Sequence, residues 1–160
     1  MIIMLVPATA KKTELEEQFA RRLYDEDMFL YNGYPHCNMI PDLTPAENHY
    51  NWAIVDNDRV IGFFTYYVDA FSGNVCRFGL YSFDRGNPLI GIDVYKKIRE
   101  LIRNYHRIEW RMISGNPVQK HYDSLCRRFG GNKVVLHQVC KDGKGEYHDE
   151  YIYEIAGDAR

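Results

Sequence analysis

Between Asn74 and Tyr105 the chain passes from a nearly unbroken apolar run into a 3.6-residue periodicity, and this change of period orders the rest of the sequence. Val75, Cys76, Phe78, Leu80, Tyr81 and Phe83, interrupted by Arg77, Gly79 and Ser82, predict a central strand covered on both faces. Asp84-Arg85-Gly86-Asn87-Pro88 halts the run with turn-forming residues, and Pro88 suits a first helical turn. Beyond it Gly91, Val94, Tyr95, Ile98, Leu101, Ile102 and Tyr105 recur on one helical face, with Lys96, Lys97, Arg99, Glu100 and Arg103 on the other. A strand that delivers a glycine-bearing loop to a helix N-terminus suits an anion, because free N–H groups and the positive end of the helix dipole point outward together. The same residues serve equally as a plain turn.

The flanking segments read as the two halves of a sheet. Ile2 to Val6 is a short strand ended by Pro7, and Thr13 with Glu16 forms a capping box for a helix carrying Leu15, Phe19 and Leu23 to about Tyr24. Asp25-Glu26-Asp27 follows at the helix's negative end. Met28 to Leu30 predicts a second short helix, and Asn32-Gly33, Pro35, Pro41 and Pro45 divide the chain up to Tyr50 into loop, with His36 and His49 read as surface histidines. Trp52–Val55 and Arg59–Val68 form a hairpin around Asp56-Asn57-Asp58, and Ser72-Gly73-Asn74 completes a three-strand meander. After the long helix, Arg107 to Ile113 alternates Ile108, Trp110 and Met112 with Arg107, Glu109 and Arg111. That strand should run parallel to the central one, with water or a ligand facing Glu109 and Arg111. Asn116-Pro117, with Gln119 completing the box, opens a helix lined by Val118, Tyr122, Leu125 and Phe129 and ended by Gly130-Gly131. Lys133–Lys141 and Glu146–Ile155 close the chain as a hairpin around Asp142-Gly143-Lys144-Gly145.

Composition narrows the classes. Length predicts a single domain over 1–156 with a tail at 157–160. A net charge of -2 argues against nonspecific nucleic-acid or membrane binding. Cys37, Cys76, Cys126 and Cys140 are widely spaced and form no CxxC, so reduced thiols are expected and no metal cluster. The run Met1 to Val6 is too short for a signal or membrane segment, which predicts a cytoplasmic protein. The 13 tyrosines suit half-wet cleft walls as well as a core.

The order strand, one or two helices, meander, helix, strand, helix, hairpin, with Asn116-Pro117 opening a tyrosine-bearing helix, resembles the GCN5-related N-acetyltransferase (GNAT) superfamily over almost the whole chain. The resemblance implies an α/β (α+β) fold: a mixed sheet of about seven strands, splayed between the fourth and fifth, flanked by about four helices. It implies acetyl-CoA as cosubstrate, no metal, and direct transfer of acetyl to an amine of a small molecule or protein. By the same resemblance Leu80, Tyr81 and Ser82 contact the pantetheine arm through their backbone. Arg85, Gly86, Asn87, Leu89 and Gly91 meet the phosphates, Asn116 joins the cofactor site, and Tyr122 is the acid that protonates the departing thiolate. Between Arg85 and Gly91 the loop carries one residue more than the family pattern. His121, Asp69 and Glu109 are the residues available as base, and Asp25, Glu26 and Asp27 would favour a cationic acceptor if they edge the opening. Two competitors stand beside this reading: a non-catalytic binding or regulatory module with a degenerate phosphate loop, and a nucleic-acid binder using Lys96, Arg99, Arg103 and Arg107. A monomer or a homodimer fits all three.

Overall fold

A computed structural model describes residues 3–25, 30, 40–87 and 90–157. In chain order the elements are β1 (Ile3–Pro7), a 3-10 turn (Ala8–Lys11), α1 (Lys12–Arg22), β2 (His49–Asp56), β3 (Arg59–Asp69), β4 (Asn74–Ser82), α2 (Ile90–Asn104), β5 (Arg107–Ile113), α3 (Gln119–Arg128), β6 (Asn132–Lys141) and β7 (Tyr147–Ala156). The strands form one seven-stranded sheet in the order β1-β2-β3-β4-β5-β7-β6. Only β4 and β5 are parallel, joined through α2 as their connection requires. The splayed mixed sheet expected from the sequence is therefore present, with three α-helices among the described residues. The short helix expected at Met28–Leu30 lies outside them except for Leu30, which is helical.

Local chemistry explains the turns. Asn57 and Asp58 both take positive φ, 47° and 67°, the geometry that suits a two-residue hairpin and that these residue types tolerate. In the β6–β7 turn the Asp142 carboxylate accepts from the N–H groups of Lys144 and Glu146, each at 2.9 Å. At the end of α3, Gly131 has no room for a side chain, since a Cβ there would run into the Glu154 carbonyl and the Cys126 sulfur.

Two apolar clusters sandwich the sheet. Leu15 and Phe19 of α1 cover Ala53, Val55, Phe63, Tyr81 and Phe83 on one face. Val94, Ile98, Leu101 and Ile102 of α2, with Leu125 and Cys126 of α3, cover Ile54, Phe64, Ile108, Trp110, Tyr153 and Ile155 on the other. Phe19 is the hub of the first cluster, edge-on to Phe63, Tyr81 and Phe83 at centroid distances of 5.4, 5.1 and 4.9 Å.

Several local expectations change. The capping box at Thr13 and Glu16 does not form: α1 starts at Lys12 without a side-chain cap, led in by the 3-10 turn, while Lys11 pairs with Glu14 and Asp58. The last helix begins at Gln119 rather than Pro117, although Asn116 Oδ1 still accepts from the Val118 N–H at 3.0 Å. The middle of β4 is half-open instead of covered on both faces. The polar face of β5 is met by neighbouring side chains, with Arg111 still half in solvent. Arg107 pairs with Glu109 at 2.7 Å and Glu154 at 2.8 Å, and Arg111 reaches Glu109 and Glu150 at 3.6 and 3.5 Å. The Arg107 guanidinium, with help from Asn132, holds the Glu154 carboxyl below its ordinary range.

Truncation of the hub tests the first cluster. Phe19→Ala should lower unfolding free energy by about 3–5 kcal/mol in a denaturant titration, because no neighbour can fill the space left between three rings.

Candidate functional site

The β4–β5 ladder has rungs at Asn74–Arg107, Val75–Ile108 and Phe78–Trp110, with a register shift between the last two. The shift is a bulge in β4: two residues, Cys76 and Arg77, stand between rungs that are separated on β5 by Glu109 alone, and Arg77 takes φ 52°. Past Phe78 no rung joins Gly79–Ser82 to Arg111–Ile113, as β4 continues along β3 while β5 continues along β7. The main chain fixes what faces this gap. Phe83 N–H donates to the Ile61 carbonyl of β3 at 2.8 Å, and amide direction alternates along a strand. Tyr81 therefore directs its amide at β3, and Leu80 and Ser82 direct theirs at the gap. The Tyr81 side chain is buried under α1, and that burial pushes its phenol pKa up.

Four aromatic rings meet where the ladder stops. Tyr122 of α3 lies 6.4 Å from the Phe78 ring and 5.7 Å from the Trp110 ring, and Trp110 stacks on Tyr153 at 5.2 Å. Next along α3, Asp123 accepts from the Tyr153 hydroxyl at 2.8 Å and from Lys133 at 2.7 Å, which fixes the helix to β6 and β7 and so places Tyr122. Burial raises the Tyr122 phenol pKa well above its ordinary value, so the group keeps its proton. Trp110 Nε1 is buried and lacks a hydrogen-bond partner among the described residues, an arrangement that costs about 1–3 kcal/mol unless something accepts from it.

The loop after β4 is held from below. Arg22 of α1 donates to the Phe83 carbonyl, stands over the Phe83 ring and pairs with Asp25. Asp84 accepts from Asn87 Nδ2 at 3.1 Å and Arg59 at 3.2 Å, and Asn87 N–H donates to the Asp84 carbonyl at 3.1 Å. Arg85 and Gly86 are exposed, Gly86 at φ 85°, and Gly91 opens α2 with nothing near the position of a Cβ. Leu89 and Pro88 lie outside the described residues.

No family model matches the sequence, and no curated protein matches it. Solved structures do. A probable acetyltransferase of the GNAT family from Chromobacterium violaceum matches 98% of this chain and 87% of its own at 18% identity and TM-score 0.65. An N-acetyltransferase from Staphylococcus aureus matches 98% and 99% at 15% identity and TM-score 0.70. The microcin C7 self-immunity acetyltransferase, solved with acetyl-CoA and AMP, matches 96% and 92% at 16% identity and TM-score 0.66. The fold is the GNAT fold.

Within the GNAT fold the residues singled out in the sequence fall into three groups. Leu80, Ser82 and Tyr122 converge on the gap and its vertex. Arg85, Gly86, Asn87 and Gly91 lie together in the loop and first turn of α2, at the end of β4. Asn116 stands apart, for its amide is engaged at both ends: Nδ2 donates to the Leu30 carbonyl at 3.1 Å while Oδ1 holds Val118. Of the residues considered as base, Asp69 caps the turn at Phe71 and Ser72, Glu109 belongs to the β5 ladder, and His121 is exposed on α3.

Trp110, Asp84 and Arg22 are features the sequence reading missed. A tryptophan in an alternating strand reads as core, and nothing in sequence spacing places Arg22 under Phe83.

Other candidate sites lie elsewhere. A groove of about 410 Å³ bordered by Leu5, Trp52, Asp93 and Lys97 shares no residue with the gap. Asp142, Glu146 and His148 bring ligand atoms within 4.8 Å of one another, but Asp142 already serves the hairpin turn and His148.

Amide hydrogen exchange resolved by residue tests the gap. Tyr81 and Phe83, bonded to β3, should be protected, while Ser82 between them exchanges faster by at least about tenfold, as an unpaired strand amide does.

Proposed function

We propose that the protein is an N-acetyltransferase that moves the acetyl group of acetyl-CoA directly onto an amine of a small molecule or protein. The observation that carries this reading is the arrested β4–β5 ladder: main-chain groups of Leu80 and Ser82 face a gap whose vertex holds the protonated phenol of Tyr122. Extended amide-bearing chains pair naturally with unpaired strand groups, which suits the pantetheine arm. The unpartnered Trp110 N–H at the same vertex offers a donor for a carbonyl oxygen or sulfur.

The amine nitrogen attacks the thioester carbonyl carbon and gives up one proton to water, the carbon–sulfur bond breaks, and the sulfur leaves with the electron pair. A thiol with pKa near 8.5 is a modest leaving group, and a phenol donating to the sulfur lowers the barrier to its departure. The burial that raises the Tyr122 pKa also raises the basicity of a thiolate beside it, so the two remain matched. Gly86 and the start of α2 supply exposed backbone for the diphosphate.

Asp84 supports the second reading, a GNAT-fold binding module without turnover. A carboxylate in the loop opposes phosphate binding, offset in part by its pairing with Arg59.

Calorimetry with acetyl-CoA separates the two. Binding is expected, and acetyl-CoA at 100 times its Kd should stabilise the fold by about 2.7 kcal/mol; absence of binding would remove the transferase. Asp84→Asn should tighten binding by about 1 kcal/mol at low salt. Tyr122→Phe should leave Kd within about twofold while slowing turnover by about 10²-fold, and unchanged turnover would exclude the acid role.

A further inference from the structure

The basic strip expected along Lys96, Arg99, Arg103 and Arg107 is taken apart by the fold. Lys96 bonds Asp93 at 2.9 Å, and Arg107 lies on β5 between Glu109 and Glu154. Arg99 of α2 meets Arg128 of α3 instead. Both guanidinium carbons stand over the Tyr95 ring, each 5.9 Å from its centroid, and both arginines are exposed. Neither has a carboxylate or hydrogen-bond partner among the described residues. The acids of the two helices are committed elsewhere: Asp93 to Lys96, Glu100 to Lys97, and Asp123 to Lys133 and the Tyr153 hydroxyl. The Tyr95 hydroxyl is buried and also lacks a partner. Cation–π attraction accounts for either stack singly. It does not account for two like charges brought to one ring from two helices, beside a hydroxyl whose bonding is unmet. Together these are donors that lack an anion.

Their place in the fold says which anion. α2 and α3 start at the carboxyl ends of the parallel pair β4 and β5 and run back side by side on one face of the sheet. Tyr95 comes five residues after Ile90, about 7.5 Å along the helix axis from its start. Arg99 is one turn further, and helical side chains lean toward the N-terminus, which returns its guanidinium to the level of Tyr95. Coenzyme A carries a phosphate monoester on the ribose next to its diphosphate, and that group is largely dianionic at neutral pH. With the diphosphate at the start of α2, this 3′-phosphate is one ribose away and within reach of the paired guanidinium groups.

We propose that Arg99 and Arg128, beside the Tyr95 hydroxyl, bind the 3′-phosphate of coenzyme A. The proposal rests on the transferase reading above and narrows its cosubstrate to the free nucleotide thioester. An acyl group on the phosphopantetheine of a carrier protein has no ribose phosphate to offer. The planar fork of arginine suits phosphate oxygens, and two forks from different helices hold the group from two directions. The site also offsets Asp84: the loop after β4 opposes phosphate through its carboxylate, and the helices supply the cationic share of binding.

Calorimetry with acetyl-CoA and with acetyl-dephospho-CoA, which lacks only the 3′-phosphate, tests this. Wild-type protein should prefer acetyl-CoA by about tenfold at low salt, the size that two exposed charge pairs supply, and the preference should shrink as salt is added. The double variant Arg99→Gln, Arg128→Gln should bind both ligands equally, with the affinity that wild type shows for acetyl-dephospho-CoA. Equal binding of the two ligands by wild type, or a preference retained in the double variant, overturns the proposal and leaves the transferase reading intact. A phosphorus-31 titration of acetyl-CoA bound to wild-type protein needs no variant. The monoester resonance should titrate at lower pH than in free acetyl-CoA, because neighbouring cations favour the dianion, and an unshifted titration overturns the proposal. Failure of the wild type to bind either ligand refutes the transferase reading itself.

Discussion

The structure depends on a ladder that stops. Antiparallel pairing runs through every neighbouring pair of strands except β4 and β5, which are parallel and hold together for three rungs. The cause is local: one extra residue in β4 at Cys76-Arg77, with Arg77 in the left-handed region, bends the strand and leaves it aligned with β3 rather than β5. Such a conformation is unfavourable for a side chain with a Cβ, and the contacts of Arg77 and of its neighbour Phe78 hold it. Arg77 stands over the Tyr67 ring at 5.5 Å, and Phe78 is clamped between Phe64 and the Trp110–Tyr122 pair.

The two apolar clusters have separate tasks around that break. The α1 cluster holds the far end of β4 through Tyr81 and Phe83, and the α2–α3 cluster holds β5 and β7 through Trp110 and Tyr153. The α1 cluster thus covers only β2, β3 and the end of β4, while the α2–α3 cluster spans both halves of the sheet, and no β4–β5 rung forms beyond Phe78. The gap is a property of the packing, so the backbone groups beside it are preorganised for a guest instead of having to unpair first.

Most of the fold was legible because period and punctuation coincide. The seven strands, the long helix and the parallel crossover all follow from runs bounded by Asp-Asn-Asp, Ser-Gly-Asn and Asp-Gly-Lys-Gly. What failed to show was tertiary. The polarity of β5 looked like an invitation to solvent, because Glu154 and Glu150 are 45 and 41 positions from Glu109 in sequence and become its neighbours only through the β5–β7 pairing. The box at Thr13 lost to the preceding 3-10 turn, which starts the helix two residues earlier, with Lys11 in the cap position. At the candidate site, the placement of Tyr122 at the vertex of the gap and of Leu80 and Ser82 along it was readable from topology.

The Arg22 crossing carries a mechanical consequence. Its guanidinium bonds the last helical turn of α1 to the carbonyl where β4 ends and the loop begins, and the same group contacts both the Phe83 ring and Asp25. The helix and the loop are thereby linked as one lever: a tilt at the end of α1 is transmitted to Asp84 and Gly86 without passing through the sheet. A molecule pressing on the far side of that helix would be felt in the loop that follows β4.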